Sequence, residues 1–256
     1  ESDMATDALD LLERADVHVR YIKQAVTLET NTGGVLFGLY VPLRASMENT
    51  ANPQVHQFTS EIRGRRNRTG SAVEYEVLSA VPNWSEEDLR EAGTPDYDEK
   101  NWGEYWSYPD RLKNILTTTV DRIEEQYNPD TDLDRVYAIE KYLRNPRNFS
   151  YSMDLPPFGN MDPVEAFLTD TRVGSCEHFA STMVLLLRAA GIPARLVGGY
   201  KGGTREEDSM VYVFRDRDAH AWVEVFFSGH GWVEFDPTPG SASASLTDMM
   251  EDRKST

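Results

Sequence analysis

Apolar and polar positions change rhythm twice along this chain. Up to about residue 82, β-branched and aromatic residues fall in short extended runs. Val17 to Thr30 and Val35 to Leu43 read as strands, as do Val55 to Ile62 and Ala72 to Val81. The last two flank a polar turn, Gly64-Arg65-Arg66-Asn67-Arg68-Thr69-Gly70, and so predict a hairpin. Its arginines, with Arg63, suit a solvated hairpin tip, because turns are polar for backbone reasons alone. Between Trp84 and Pro109 the alternation lapses. Ser85-Glu86-Glu87-Asp88 has the spacing of a capped helix start. An aromatic loop with Tyr97, Trp102, Tyr105, Trp106 and Tyr108 follows, rings suited to packing between two lobes.

Beyond Pro109 the spacing turns helical. Arg111 to Tyr127 and Leu133 to Leu143 predict helices, the second with Asp132 as N-cap. Its stripe is Leu133, Val136, Tyr137, Ile139, Glu140 and Leu143, apolar but for Glu140. Phe149-Ser150-Tyr151 predicts a short strand. Asp162-Pro163 opens a short helix with proline in its first turn. A longer helix begins at Cys176, buries Phe179, Ala180, Met183, Val184 and Leu187, and stops at Gly191 before Pro193. Ala194 to Tyr200, Met210 to Phe214, Ala219 to Phe227 and Gly231 to Asp236 predict strands. The pattern gives a strand-rich lobe (1–82), an aromatic linker (83–109), an α+β domain (110–240) and an acidic, Ser-rich tail (241–256). In that domain Cys176 opens a helix, and His220 and Asp236 fall on two later strands.

Composition narrows the partners. With 256 residues, 39% of them hydrophobic, the chain can bury a core. A formal charge of −17 argues against nucleic acid and anionic membranes, which attract basic faces. One cysteine excludes an internal disulfide. No apolar run approaches the roughly 18 residues needed to span a bilayer. A start at Glu1, without Met or a signal-like stretch, reads as a portion of a longer protein. Asn67, Asn83 and Asn148 lie in Asn-x-Ser/Thr triplets, a pattern common by chance.

The remaining chemistry centres on Cys176. A thiol attacks as thiolate, and a helix N-terminus favours an anion there. The same unpaired N–H groups can stabilise an oxyanion. In the run 219–225, His220, Trp222 and Glu224 share a face; in 231–236, Trp232, Glu234 and Asp236 do. Ser228-Gly229-His230-Gly231 joins the runs as a hairpin loop. If the hairpin centres near Ser228, His220 and Asp236 lie opposite each other. If it centres one or two residues later, they are offset by about three residues, on the order of 10 Å. Either way both sit at its open end, where a carboxylate can hold one imidazole nitrogen and leave the other for the thiol. Pro237 ends the strand there. His178, two residues from Cys176, belongs to another helix face and reads as structural. His18, His56 and His230 read as surface or packing residues, and Glu224 and Glu234 as partners in a strand pair. Zinc is disfavoured: there is no CxxC, no HExxH and no second thiol.

On these residues the chain resembles the transglutaminase-like superfamily, whose core is a circularly related version of the papain fold. The matching blocks are Gly174-Ser175-Cys176-Glu177-His178-Phe179-Ala180-Ser181, Leu187 to Arg195, Gly198-Gly199-Tyr200, Ala219-His220-Ala221-Trp222-Val223-Glu224-Val225, and Gly231 to Pro239. It is similar in particular to the prokaryotic membrane-anchored TgpA type, through Tyr108-Pro109, Asp162 to Leu168 and the strand-rich front lobe. The resemblance implies Cys176 as nucleophile, His220 as base and Asp236 as orienter. It also implies a protein or peptide substrate, an amine or water as acceptor, and no cofactor. The segment would be extracytoplasmic, its parent anchored in the cell membrane elsewhere. Three functions fit: acyl transfer from glutamine carboxamide to amine, hydrolysis as a cysteine protease or amidase, or a non-catalytic cell-surface binding module. The superfamily draws a second oxyanion donor from upstream of the thiol. Between Ser107 and Cys176 the only Trp or Gln is Gln126, on an earlier helix, so that donor is unassigned.

Overall fold

The structure, a computed structural model, describes residues 18–30, 32–48, 51–56, 60–64, 72–95, 103–207 and 209–240. The chain divides into two compact units between Ala92 and Gly93, with the turn Gly229–Gly231 grouped with the first.

The first unit is built on strands. β1 (His18–Leu28), β2 (Val35–Leu36), β3 (Val41–Ser46), β4 (Gln54–Val55), β5 (Ile62–Arg63) and β6 (Val73–Asn83) form two antiparallel three-stranded sheets, ordered β1-β6-β3 and β2-β5-β4. A short helix, α1 (Glu86–Ala92), follows. β1 and β6 pair along their whole lengths, from His18 opposite Asn83 to Leu28 opposite Val73. Along the first half of β6, Tyr75 and Val77 are buried while Glu74 and Glu76 are exposed, which is the period-2 alternation of a half-buried strand. Both strand prolines sit where no ladder donor is required. Pro42 lies on the edge strand β3 at a register shift, and Pro82 lies beyond Ala80, where β3 stops pairing with β6. Tyr75 donates its hydroxyl hydrogen to the Phe37 carbonyl (3.0 Å) and accepts from the Phe37 N–H (2.8 Å). Burial pushes this hydroxyl up to about 12.

Two strand expectations need correction. Val35 to Leu43 is not continuous: Phe37 to Tyr40 interrupts it, with Tyr40 at φ 25°. The expected hairpin between residues 55–62 and 72–81 does not form. β5 pairs with β2 and β4, while β6 pairs with β1 and β3. Ser60, left-handed at φ 58°, breaks the extended run. The His56 N–H donates to the Glu61 carbonyl at 2.8 Å, and Val55 pairs with Ile62. The turn's Arg65, Arg66 and Arg68, and the Asn67 triplet, lie outside the described residues.

The second unit packs helices on a sheet. α2 (Lys113–Tyr127), α3 (Asp132–Arg144), the strand β7 (Ser150–Tyr151), α4 (Pro163–Ala166), continued as a π turn to Thr171, β8 (Val173–Gly174) and α5 (Cys176–Ala189) precede the strands. β9 (Ala194–Tyr200), β12 (Ala219–Phe227) and β13 (Gly231–Phe235) make an antiparallel sheet ordered β13-β12-β9, and β10 (Thr204–Arg205) and β11 (Tyr212–Val213) a small hairpin. α5 is the centre of this unit. Phe179, Met183, Leu186 and Leu187 are fully buried and pack among α2, α3, β9 and β12. Each such side chain contributes roughly 1.5–3 kcal/mol of hydrophobic stabilisation. The helix ends as its signals require, with Gly191 left-handed at φ 77° before Pro193.

Three local readings change. The N-cap of α3 is Thr131, whose hydroxyl accepts from the Asp134 N–H at 3.2 Å. Asp132 instead accepts from the Thr94 N–H (3.0 Å) and hydroxyl (2.6 Å). Tyr105 and Trp106 are buried inside this unit: Tyr105 meets Trp232 edge-on, and the Trp106 indole donates to the Gly191 carbonyl (3.1 Å). Tyr97 and Trp102 lie outside the described residues, as does the tail beyond Gly240. Finally, Glu224 and Glu234 do not serve each other. Glu224 takes both Nε and an Nη of Arg195 at 2.7 Å, and Glu234 pairs with Lys201. Arg195 and Glu224 are almost fully buried, and the guanidinium also lies over Trp232. Removing one partner of a buried pair strands the other charge. Glu224→Gln is therefore expected to lower unfolding free energy by about 3–5 kcal/mol, read from urea unfolding midpoints.

Candidate active site

Cys176 is placed by a crowded turn. β8 pairs in parallel with β7, setting Tyr151 beside Gly174, and Ser175 then caps α5. The Ser175 carbonyl accepts from the N–H groups of His178 (3.0 Å) and Phe179 (3.2 Å). The His178 ring returns to the cap: its Nδ1 lies 3.4 Å from the Ser175 N and 3.1 Å from its hydroxyl. His178 thus takes the place a Glu or Gln fills in a capping box, and the ring packs near Phe158 and Phe167. Burial lowers its pKa and favours the neutral ring, which can accept from the cap. Both contacts tie the ring to the start of α5. Cys176 itself is half-buried, the first residue of α5, where backbone N–H groups have no intrahelical acceptor. Burial and the neighbouring Cys176 push the Tyr151 hydroxyl above its ordinary value.

Gly174 makes this approach possible. A Cβ there would meet the His178 Cβ at 2.6 Å and Phe167 at 2.9 Å. Gly174→Ala is expected to destabilise the fold by about 1–3 kcal/mol through overpacking. It should also slow alkylation of Cys176 by iodoacetamide, because the turn that sets the thiol must shift. Thermal melting and the alkylation rate of the one cysteine read these two effects separately.

His220 lies on β12 opposite Gly199 of β9, and Asp236 follows directly on β13. The two side chains meet, His220 Nε2 to Asp236 Oδ2 at 2.8 Å. β13 stops at Phe235, before Asp236-Pro237, so the pair sits at the open end of the hairpin. α5, which begins with Cys176, packs on β12, which carries His220. Of the three residues singled out in the sequence, two are joined by a direct hydrogen bond. The third stands at the start of the helix that packs on the strand of His220.

Asp236 is held from every side. Its side chain is 5% exposed. Burial alone would raise its pKa. The hydrogen bond from His220, the charges of Lys201 and His220, and the Thr238 N–H on Oδ1 (3.0 Å) outweigh that and hold it well below the usual carboxylate range. Its backbone is clamped from α3: the Asp236 N–H donates to Glu140 Oε1 and Arg144 donates to the Asp236 carbonyl, each at 3.0 Å. An ionised carboxylate only accepts, so His220 donates from Nε2 and keeps Nδ1 as its basic nitrogen.

Sequence reasoning missed Lys201, Glu140 and Arg144. Glu140 carried a signal, since a carboxylate at a helical spacing otherwise apolar is a buried charge in need of a partner. Lys201 continues the β9 alternation from Gly199, the residue paired with His220. Among the described residues, no group of three or more His, Cys, Asp and Glu side chains is arranged to hold a metal ion, and no helix is long and apolar enough to cross a membrane.

Residues 118–237, which include all three candidate positions, match the transglutaminase-like superfamily. Over 203 residues the chain is 34% identical to the uncharacterized protein YebA of Bacillus subtilis, a stretch covering 76% of this chain and 27% of that protein. Over 113 residues it is 46% identical to the protein-glutamine gamma-glutamyltransferase of Pseudomonas aeruginosa, covering 44% of this chain and 16% of that protein. The chain thus spans only a minor part of either relative. Among solved structures, the periplasmic domain of TgpA from P. aeruginosa superposes with a TM-score of 0.66 at 25% identity, over 91% of this chain and 72% of that one. The fold is transglutaminase-like, mixed α and β with antiparallel principal sheets.

Proposed function

Since this chain carries a domain of the transglutaminase-like superfamily, we propose that it catalyses cysteine-dependent acyl transfer from glutamine carboxamides of proteins or peptides to amines. Cys176 is the nucleophile, His220 its base and Asp236 the group that orients the base. The thiolate adds to the carboxamide carbon, and N–H groups of the first turn of α5 face the oxyanion. The imidazolium passes its proton to the departing nitrogen, so ammonia leaves and a thioester remains on Cys176. An amine, deprotonated by His220, then attacks the thioester. The new amide departs and the thiol is regenerated.

The observation that carries this reading is the 2.8 Å contact from His220 Nε2 to Asp236 Oδ2, which fixes the imidazole and leaves Nδ1 as base. The match to a periplasmic domain supports an extracytoplasmic position for this segment. The test is incorporation of a fluorescent primary amine into a glutamine-rich protein, with ammonia measured in the same tubes. Label and ammonia together support transfer. Ammonia without label would replace transfer by hydrolysis, and neither product would overturn the enzymatic reading.

A further inference from the structure

One charged side chain beside the candidate site has no part in the steps above. Lys201 follows the last residue of β9, and its own N–H donates to the Asp218 carbonyl at 2.9 Å. From there the side chain crosses β12, with its ammonium 5.3 Å from the centre of the Trp222 ring. It ends between two carboxylates of the β13 segment, ion-paired with Glu234 and 3.4 Å from Asp236 Oδ2. That oxygen is the one that His220 contacts. The Lys201 side chain is only 18% exposed and Glu234 20%. A lysine normally keeps its ammonium in water, so a largely buried one aimed at a buried carboxylate is a placed charge.

We propose that Lys201 is a positioning residue for the His220–Asp236 pair, fixing the Asp236 carboxylate in line with His220. The proposal deepens the acyl-transfer reading and rests on it. Trp222 and Glu234 restrict the lysine, the first along its stem and the second at its head. Lys201 restricts Asp236 Oδ2, while Thr238 holds Oδ1. The groups that face this cluster are Glu140 and Arg144 from α3, Glu234 and Asp236 from the β13 segment, and His220 and Glu224 from β12. Lys201 is the ammonium that touches the carboxylate oxygen shared with His220. Removing a nearby cation raises the pKa of every neighbouring acid, so the sign of its effect is fixed.

The test exploits the single cysteine, because alkylation by iodoacetamide reports Cys176 without any substrate. The rate is measured against pH for the native chain, Lys201→Met and Lys201→Arg, with folding followed by circular dichroism and thermal melting. For the native chain the rate should rise with pH along a single limb set by the thiolate. Lys201→Met should move that limb upward by on the order of one pH unit, and Lys201→Arg should leave it near its native position. A folded Lys201→Met with an unshifted limb, whatever its melting temperature, would reduce Lys201 to a structural ion pair and overturn the proposal. If Lys201→Met does not fold, Lys201→Gln removes the charge while keeping a donor, and the same two outcomes decide. A native chain that iodoacetamide does not alkylate at any pH would instead refute the Cys176 reading, which is a different failure.

Discussion

Cys176→Ala is expected to abolish amine incorporation, a loss of at least about 10³-fold, with the fold intact. Alanine suits the first turn of a helix, and the thiol is half-buried, so the cavity left by its sulfur is small. Circular dichroism and the melting temperature should stay near native. The variant should also lose all reaction with iodoacetamide, since no other cysteine exists in the chain. A folded Cys176→Ala protein that still transferred the acyl group would place the nucleophile elsewhere.

The second large effect is expected at Asp236. Asp236→Asn keeps the shape but removes the charge that selects the Nε2–H form of His220, and activity should fall by about 10³–10⁴-fold. The same substitution has a signature in stability. The folded-state pKa of Asp236 lies below that of the unfolded chain, so the carboxylate stabilises the native state in full above about pH 4. That contribution fades as pH falls from there toward the folded value. The melting-temperature gap between native and Asp236→Asn should therefore be widest near neutrality and narrow steadily below about pH 4. A gap that widened with acid would mean that Asp236 is protonated in the native state and cannot orient an imidazole in this way.

Legibility followed agreement among neighbouring local signals. α5 was readable because its apolar period and its Gly191–Pro193 stop agree with one another. β9 and β12 were readable to the residue for a related reason: their ends are marked by a proline and by the Gly-rich turn. In the first unit the same residue types misled. The segment 55–62 holds enough β-formers to look like one strand, yet Val55 pairs with Ile62 and Ser60 is left-handed. A single-residue dihedral leaves no periodic trace. At the candidate site, strand alternation put His220, Trp222 and Glu224 on one face, and Glu234 and Asp236 on one face of the next strand. The contacts join those faces through His220–Asp236 and through Lys201 over Trp222 to Glu234. What alternation does not supply is the third strand or the helix behind. Lys201 reaches Asp236 from just beyond β9, 35 residues away, and Glu140 reaches it from α3, 96 residues away. Such partners follow from tertiary packing, so a buried carboxylate in the sequence announces only that some partner must exist.

The most direct test of the central claim is the intact mass of the protein, quenched in acid seconds after mixing with a glutamine-bearing peptide and no amine. The expected product is a protein heavier by the peptide less one ammonia, carried on Cys176, released by hydroxylamine and absent from Cys176→Ala. Ammonia release with no adduct at any quench time, and an unchanged rate in Cys176→Ala, would contradict a thioester on this cysteine.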